Sequence, residues 1–335
     1  MMYYFEDDLY DAIATGNVAS LRGYLSRGLN VNHAFRNTAA VSRLGMTLLD
    51  AAVSNNQKDV VRHLLSSGSD VNMKYIVDID EFSYKLREYR KKDKLKLMSM
   101  YPCIVKGDLD MVKLLIQGGF DVNIQDDRGC TALWHAVDLN NYDMTKAMAT
   151  AEGCDVNLAD VTMLRPLHVA AIHGNVRIAS LLIRHGAIID AVQLRGSSPL
   201  ILAVKSACYD TVRLLLLNGA DPNRIGYNGH TPISTAFQVC TDRRILDMLI
   251  EAGAFCYHSL IIKCQREKLP LLKQHPEVVG ILKELASSPR SLKIQTCLVI
   301  RRTLLASKCH LHLMRKVAKL PLPKIMQDFL LLNYL

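Results

Sequence analysis

Half of the 335 residues are hydrophobic but only 6% are aromatic, a balance that suits close helix packing filled by Ala and Leu and argues against an aromatic-rich sandwich or barrel. No apolar run reaches the ~18 residues that span a bilayer, and the acidic opening Met1-Met2-Tyr3-Tyr4-Phe5-Glu6-Asp7-Asp8 lacks the basic and apolar regions of a secretory signal, so a cytoplasmic protein, with the nucleus as a second compartment and no membrane partner, is expected. The formal charge of +9 gathers in two stretches, 85–96 and 293–319, and nine cysteines without a CxxC pair exclude a disulfide framework, leaving reduced thiols that pack as small hydrophobes.

Taken in chain order, the apolar spacing predicts short paired helices. Leu9 to Asn32 forms a first pair, with acidic residues ahead of its first helix. Thr47 to Ala52 and Val60 to Leu65 form the next. The segment 74–96 then interrupts the pattern; its charge run reads as a solvated helix or loop, or else as a contact for an acidic partner or a nuclear localisation signal. Leu109 to Gly118 resumes the helices, followed by Thr131 to Val137 with Thr145 to Gly153, Pro166 to Asn175 with Val176 to Gly186, Ser198 to Ala203 with Val212 to Asp221, and Thr231 to Ala236 with Ile245 to Gly253.

A short motif marks the period. Asn30-Val31-Asn32, Asp70-Val71-Asn72, Asp121-Val122-Asn123, Asp155-Val156-Asn157, Ile188-Ile189-Asp190 and Asp221-Pro222-Asn223 recur, and from Asn123 onward they stand 34, 33 and 33 residues apart. A 33-residue unit of a turn and two antiparallel helices resembles the ankyrin repeat. The copy Pro166-Leu167-His168-Val169-Ala170-Ala171-Ile172-His173-Gly174-Asn175 carries the resemblance best, with Arg165 where Thr is usual. Proline starts the helix without orphaning an N–H, the alanine pair lets two helices approach, and Gly174 is suited to the left-handed residue that ends the helix. Seven repeats are expected, an all-α solenoid over residues 5–258.

No catalytic, cofactor or metal site is expected. His168 and His173 stand five apart, whereas a zincin needs histidines four apart with Glu between. Cys256, His258 and Cys264, or Cys309, His310 and His312, lack paired ligand spacing. There is no phosphate loop and no nucleophile elbow. Basic residues are not interleaved with stacking aromatics, and no nucleic-acid-binding motif appears, so nucleic acid is not an expected partner.

After the repeats, 259–288 reads as a linker region with a short amphipathic helix, and 289–335 as a separate three-helix module. Pro289-Arg290-Ser291-Leu292 opens a stripe at 292, 296, 299, 300 and 304, and Leu320-Pro321-Leu322-Pro323 follows. These residues resemble the SOCS box, and with the repeats the chain resembles the ankyrin repeat and SOCS box family. The resemblance implies a BC box at 291–300, with Ser291, Leu292, Thr296 and Ile300 contacting elongin C of the elongin B/C pair, and a cullin box at 320–331, with Leu320, Pro321, Leu322 and Pro323 selecting cullin-5 and its RING-box protein. Thr296 departs from the pattern, standing where Cys is usual with Cys297 beside it. The implied function is that of a non-catalytic substrate receptor in a ubiquitin ligase, with the repeats holding an unknown target protein; the alternative is an ankyrin scaffold that binds a partner without ubiquitination. Target contacts are expected at hairpin tips and first helices: Asp127, Arg128, Trp134, Leu194, Arg195, Tyr227 and Asn228.

Overall fold

The fold is described from a computed structural model, covering residues 2–35, 45–78, 94–98, 100–226, 229–239 and 242–254. The chain divides into two compact units, Met1–Val161 and Thr162–Leu335. The first unit holds α1 (Met2–Ala14), α2 (Val18–Ser26), α3 (Leu48–Ser54), α4 (Lys58–Ser66), β1 (Lys74–Asp78), β2 (Lys94–Met98), α5 (Met100–Lys106), α6 (Leu109–Gln117), α7 (Ala132–Asp138) and α8 (Tyr142–Ala149). The second holds α9 (Pro166–His173), α10 (Val176–Arg184), α11 (Pro199–Lys205), α12 (Tyr209–Leu217), α13 (Pro232–Val239) and α14 (Arg243–Glu251). In each unit the helices pair in chain order. Odd-numbered helices then stack in one row, α1 on α3 on α5 on α7 and α9 on α11 on α13, while the second helices align behind them. Within each unit the stacked helix pairs expected from the period are what form.

Local chemistry explains many of the starts. Thr131 Oγ1 accepts the Trp134 N–H at 3.1 Å, and Thr47 and Asp50 cap each other reciprocally. Four of the second helices rely on Asn or Asp: Asn17, Asp108, Asn141 and Asn175 each accept a backbone N–H three residues on, at 3.0–3.1 Å. Asn141 is why α8 starts at Tyr142, three residues before the sequence pattern places it. Gly174 ends α9 in the left-handed region at φ 67°, and a Cβ there would fall 2.2 Å from Cys208 Sγ, so both strain and contact demand glycine.

The core is small-residue packing. Ala51, Ala52, Ala136, Ala170, Ala171, Ala203 and Ala236 are all buried, letting first helices approach closely, with Leu49, Leu133, Leu167, Leu200 and Ile233 filling between them. Behind them, Ile178, Leu181 and Leu182 of α10 form the buried face that the spacing predicts.

Side chains tie each turn to the next. Asn72 Oδ1 accepts the Asp121 N–H at 2.8 Å and its amide donates to the Gly119 carbonyl at 3.2 Å; Asn123 repeats this with Asp155 (2.8 Å) and Gly153 (2.8 Å). At the equivalent place Asp190 only accepts, both oxygens taking the Asp221 N–H at 3.1 Å.

The segment 74–96 departs from the helix-or-loop expectation. β1 and β2 pair antiparallel, with Lys74 opposite Met98 and Asp78 opposite Lys94. The signal was present: Lys94-Leu95-Lys96-Leu97 alternates with period two and Ile76-Val77 is β-branched, the pattern of a strand and not of a helix. Residues 79–93 lie outside the described ones.

Candidate protein-binding surface and docking tail

Hairpin turns lead into the first helices, and most of the expected target contacts fall there. Asp127 is exposed at the tip of the turn before α7. Arg128 is half-buried; its N–H goes to Asp126 Oδ1 at 2.9 Å, and its carbonyl accepts the Val161 N–H at 2.8 Å. In the second unit Leu194 is 73% exposed and Arg195 is exposed, on a turn pinned by the Leu194 N–H to the Thr162 carbonyl at 2.9 Å. Tyr227 and Asn228 lie outside the described residues.

Trp134 is a correction. It is only 6% exposed, with its ring edge-on to His135 at 5.6 Å. The reason is positional: it is the third residue of a capped helix, the slot that in α9 is filled by His168 with no exposure at all. A side chain there points under the helix start into the core, so its bulk serves packing. His168 does what the repeat pattern requires of it, accepting the Arg165 N–H on Nδ1 at 3.2 Å and bonding the Ala191 carbonyl through Nε2 at 3.0 Å.

Two exposed apolar residues were missed by the sequence reading. Val161, 66% exposed, stands four residues after Asn157 just as Leu194 stands four after Asp190, so the period itself could have found it. Ile225 is 68% exposed. In the second unit Leu194 and Ile225 flank a shallow groove with Val192, Gly196, Asp221 and Arg224 along its walls. Solvent-facing aliphatic side chains beside Arg195 suit an interface with another protein more than a small-molecule pocket.

The titratable groups are tuned for structure. Burial alone would raise the Asp126 carboxyl, but the hydrogen bond and charge of His135, with N–H donors from Cys130 and Arg128, hold it below the usual carboxylate range. Burial pushes Asp190 up, only partly countered by the Asp221 N–H. Burial likewise pushes the Cys103 thiol up to about 12 and that of Cys154 to about 11, which fits packing cysteines. Among the described residues one group could hold a metal: Asp126, Cys130 and His135, all buried, with ligand atoms within 4.8 Å of one another. No helix among the described residues is long and apolar enough to cross a membrane.

Every residue assigned to the docking tail lies outside the described residues: Ser291, Leu292, Thr296, Ile300, Leu320, Pro321, Leu322 and Pro323, and with them the linker region 259–288.

Comparison with known families finds ankyrin repeats in three copies over residues 88–160 and 152–226, an ankyrin repeat at 44–75, and a SOCS box at 288–331. Among curated relatives, the B-cell lymphoma 3 protein homolog of Mus musculus is 30% identical over 63% of this chain and 47% of its own length. The nuclear factor NF-kappa-B p105 subunit of Gallus gallus is 28% identical over 43% of this chain and 17% of its own length. The chain thus spans less than half the length of these relatives.

Proposed function

The chain belongs to the ankyrin repeat and SOCS box family, and on that premise we propose that it is the target-binding subunit of an elongin B/C–cullin-5–RING ubiquitin ligase. One observation carries this reading: the SOCS box match at 288–331 contains both Ser291-Leu292 and Leu320-Pro321-Leu322-Pro323. In this reading Leu292 is the apolar anchor that enters a pocket on elongin C, with Thr296 and Ile300 on the same helical stripe. Leu320, Pro321, Leu322 and Pro323 favour cullin-5 over its relatives. A module of 47 residues, 289–335, has little apolar surface to bury by itself, which is consistent with a tail that needs partners.

The chain performs no bond chemistry in this scheme. Its hairpin tips, with Asp127, Arg128, Leu194 and Arg195, hold a target protein while the ligase core brings activated ubiquitin close. Tethering raises the effective concentration of target lysines into the millimolar range, roughly as for two modules joined by a short linker. We further propose seven repeats over 5–258, with the boundary to the docking module near residue 289.

Co-expression with elongin B/C is the test. The wild-type chain should co-purify with the pair at equal stoichiometry, and Leu292→Asp should abolish this while leaving the repeats folded. Failure of the wild type to bind ends the ligase reading. Retention of cullin-5 after Leu320 and Pro321 are replaced by Ala would end the cullin-box assignment alone.

A further inference from the structure

Three donor types converge within ten residues of one hairpin. The turn before α7 runs from Gln125 to Thr131, which are bridged, and it is closed by Asp126, whose Oδ1 accepts the N–H groups of Arg128 and Cys130, both at 2.9 Å. The other oxygen, Oδ2, lies 2.8 Å from Nε2 of His135, midway along α7. Cys130, near the end of the turn, has no exposure, and Asp126 and His135 are 5% and 3% exposed. Thiol, imidazole and carboxylate therefore face each other in a place closed to water.

We propose that Asp126, Cys130 and His135 form a structural site for zinc(II) or another thiophilic divalent cation. The donor set selects the ion: a thiolate with an imidazole suits zinc, while calcium and magnesium demand all-oxygen shells. The geometry is near what zinc needs. At metal–ligand lengths of about 2.0–2.3 Å, tetrahedral ligand atoms stand roughly 3.3–3.6 Å apart, and the three atoms here already lie within 4.8 Å of each other. Asp126 Oδ2 and His135 Nε2 must part by about half an ångström from their present hydrogen bond, and Cys130 Sγ must close in. Backbone donors on Oδ1 anchor Asp126 while Oδ2 binds, the outer-shell support that metal carboxylates commonly have.

Asp160, a buried carboxylate outside the group of three, comes close enough for its charge to act on the Cys130 thiol. Gly129 allows this closeness: it sits at φ +76°, and a Cβ there would lie 3.1–3.2 Å from the backbone of Asp160 and Val161. Without an ion the cluster rests as a carboxylate–imidazole hydrogen bond beside a thiol that burial and the neighbouring acid keep protonated. Loading the site sends the thiol proton to solvent, so affinity rises with pH. The sequence reading weighed three other histidine and cysteine sets and not this one, because Asp126, Cys130 and His135 match no ligand motif by spacing. The consequence of an ion here is local: it would lock the turn that presents Asp127 and Arg128. The proposal stands on these residues alone and is independent of the ligase reading.

Cobalt(II) is the probe. The full chain, purified without a metal-affinity tag, should take up one equivalent with a thiolate-to-cobalt charge-transfer band and the intense visible bands of a tetrahedral ion, both displaced by zinc. Emission from Trp134, the chain's single tryptophan and a neighbour of His135 at 5.6 Å, should be quenched in step. Cys130→Ser and His135→Gln should each lose the band and the quenching with circular dichroism unchanged, while Cys154→Ser keeps both. Absence of the band in the folded wild type overturns the proposal. So does a band that survives Cys130→Ser, which would place cobalt on cysteines elsewhere in the chain, or a band without Trp134 quenching. Should Cys130→Ser misfold, His135→Gln decides by the same two readouts.

Discussion

The stretch 121–153 in the first unit and the stretch 165–221 in the second follow one repeat pattern yet satisfy their buried polar groups differently. In the second, His168 occupies the third position of α9 and spends both ring nitrogens on backbone, the Arg165 N–H and the Ala191 carbonyl. In the first, Trp134 fills that position with bulk, and the polar role moves one residue on, where His135 meets Asp126. The turns invert the pattern. Asn123 both accepts and donates across its junction, whereas the Asp190 carboxyl accepts with both oxygens and leaves the donor half undone. The lesson is that the position demands a filled, satisfied core, and several chemistries meet that demand at different cost.

Four substitutions test this contrast. The largest effect is expected from Asp126→Ala, which strands two backbone N–H groups and His135 together; a loss of about 3 kcal/mol should appear as an earlier denaturant midpoint followed by Trp134 fluorescence. The sign with pH follows from the depressed Asp126 carboxyl: its stabilisation is present above the ordinary carboxylate range and is lost as pH falls through its lower folded value. Wild type and variant should therefore converge in strong acid, and a constant gap would show that Asp126 acts by shape alone.

His168→Phe comes next. It keeps ring volume but removes both backbone bonds, and about 2 kcal/mol should be lost, whereas Trp134→Phe, which keeps an aromatic ring packed in the slot and leaves the Asp126–His135 bond intact, should cost clearly less. Equal costs would erase the distinction drawn between the two repeats.

The smallest effect has the opposite sign. Asp190→Asn restores the donor that Asn123 has, and a gain of about 1 kcal/mol is expected at neutral pH. Asp190 titrates above the usual range, so the wild type regains stability as pH falls and its deficit grows as pH rises through the raised folded value. Thermal melts of the pair should diverge from acid towards neutrality; parallel curves would mean that Asp190 has another donor to satisfy it.

How much of this was legible in sequence depends on distance along the chain. Pro166, the alanine pair and Gly174 could be read directly because capping and turn chemistry act within four residues, and the structure places them as read. The start of α8 was misplaced since Asn141, its cap, sits outside the apolar pattern used to find it. Trp134 was misjudged because it was counted with the first-helix contacts, while the slot it occupies faces inward. The contact of Asp126 with His135 spans a turn and the start of a helix, and no spacing rule joins them. Val161 was simply overlooked, although the 33-residue period points to it.

The ribbon of β1 and β2 has one more implication. Lys74 and Met98 are 24 positions apart in sequence but stand opposite each other in register, so the chain leaves the helical stack and returns to it through a single narrow doorway. Two strand ends held side by side in this way keep the entry and exit points together whatever joins them, and in the laboratory the ribbon is a natural point for grafting a foreign loop.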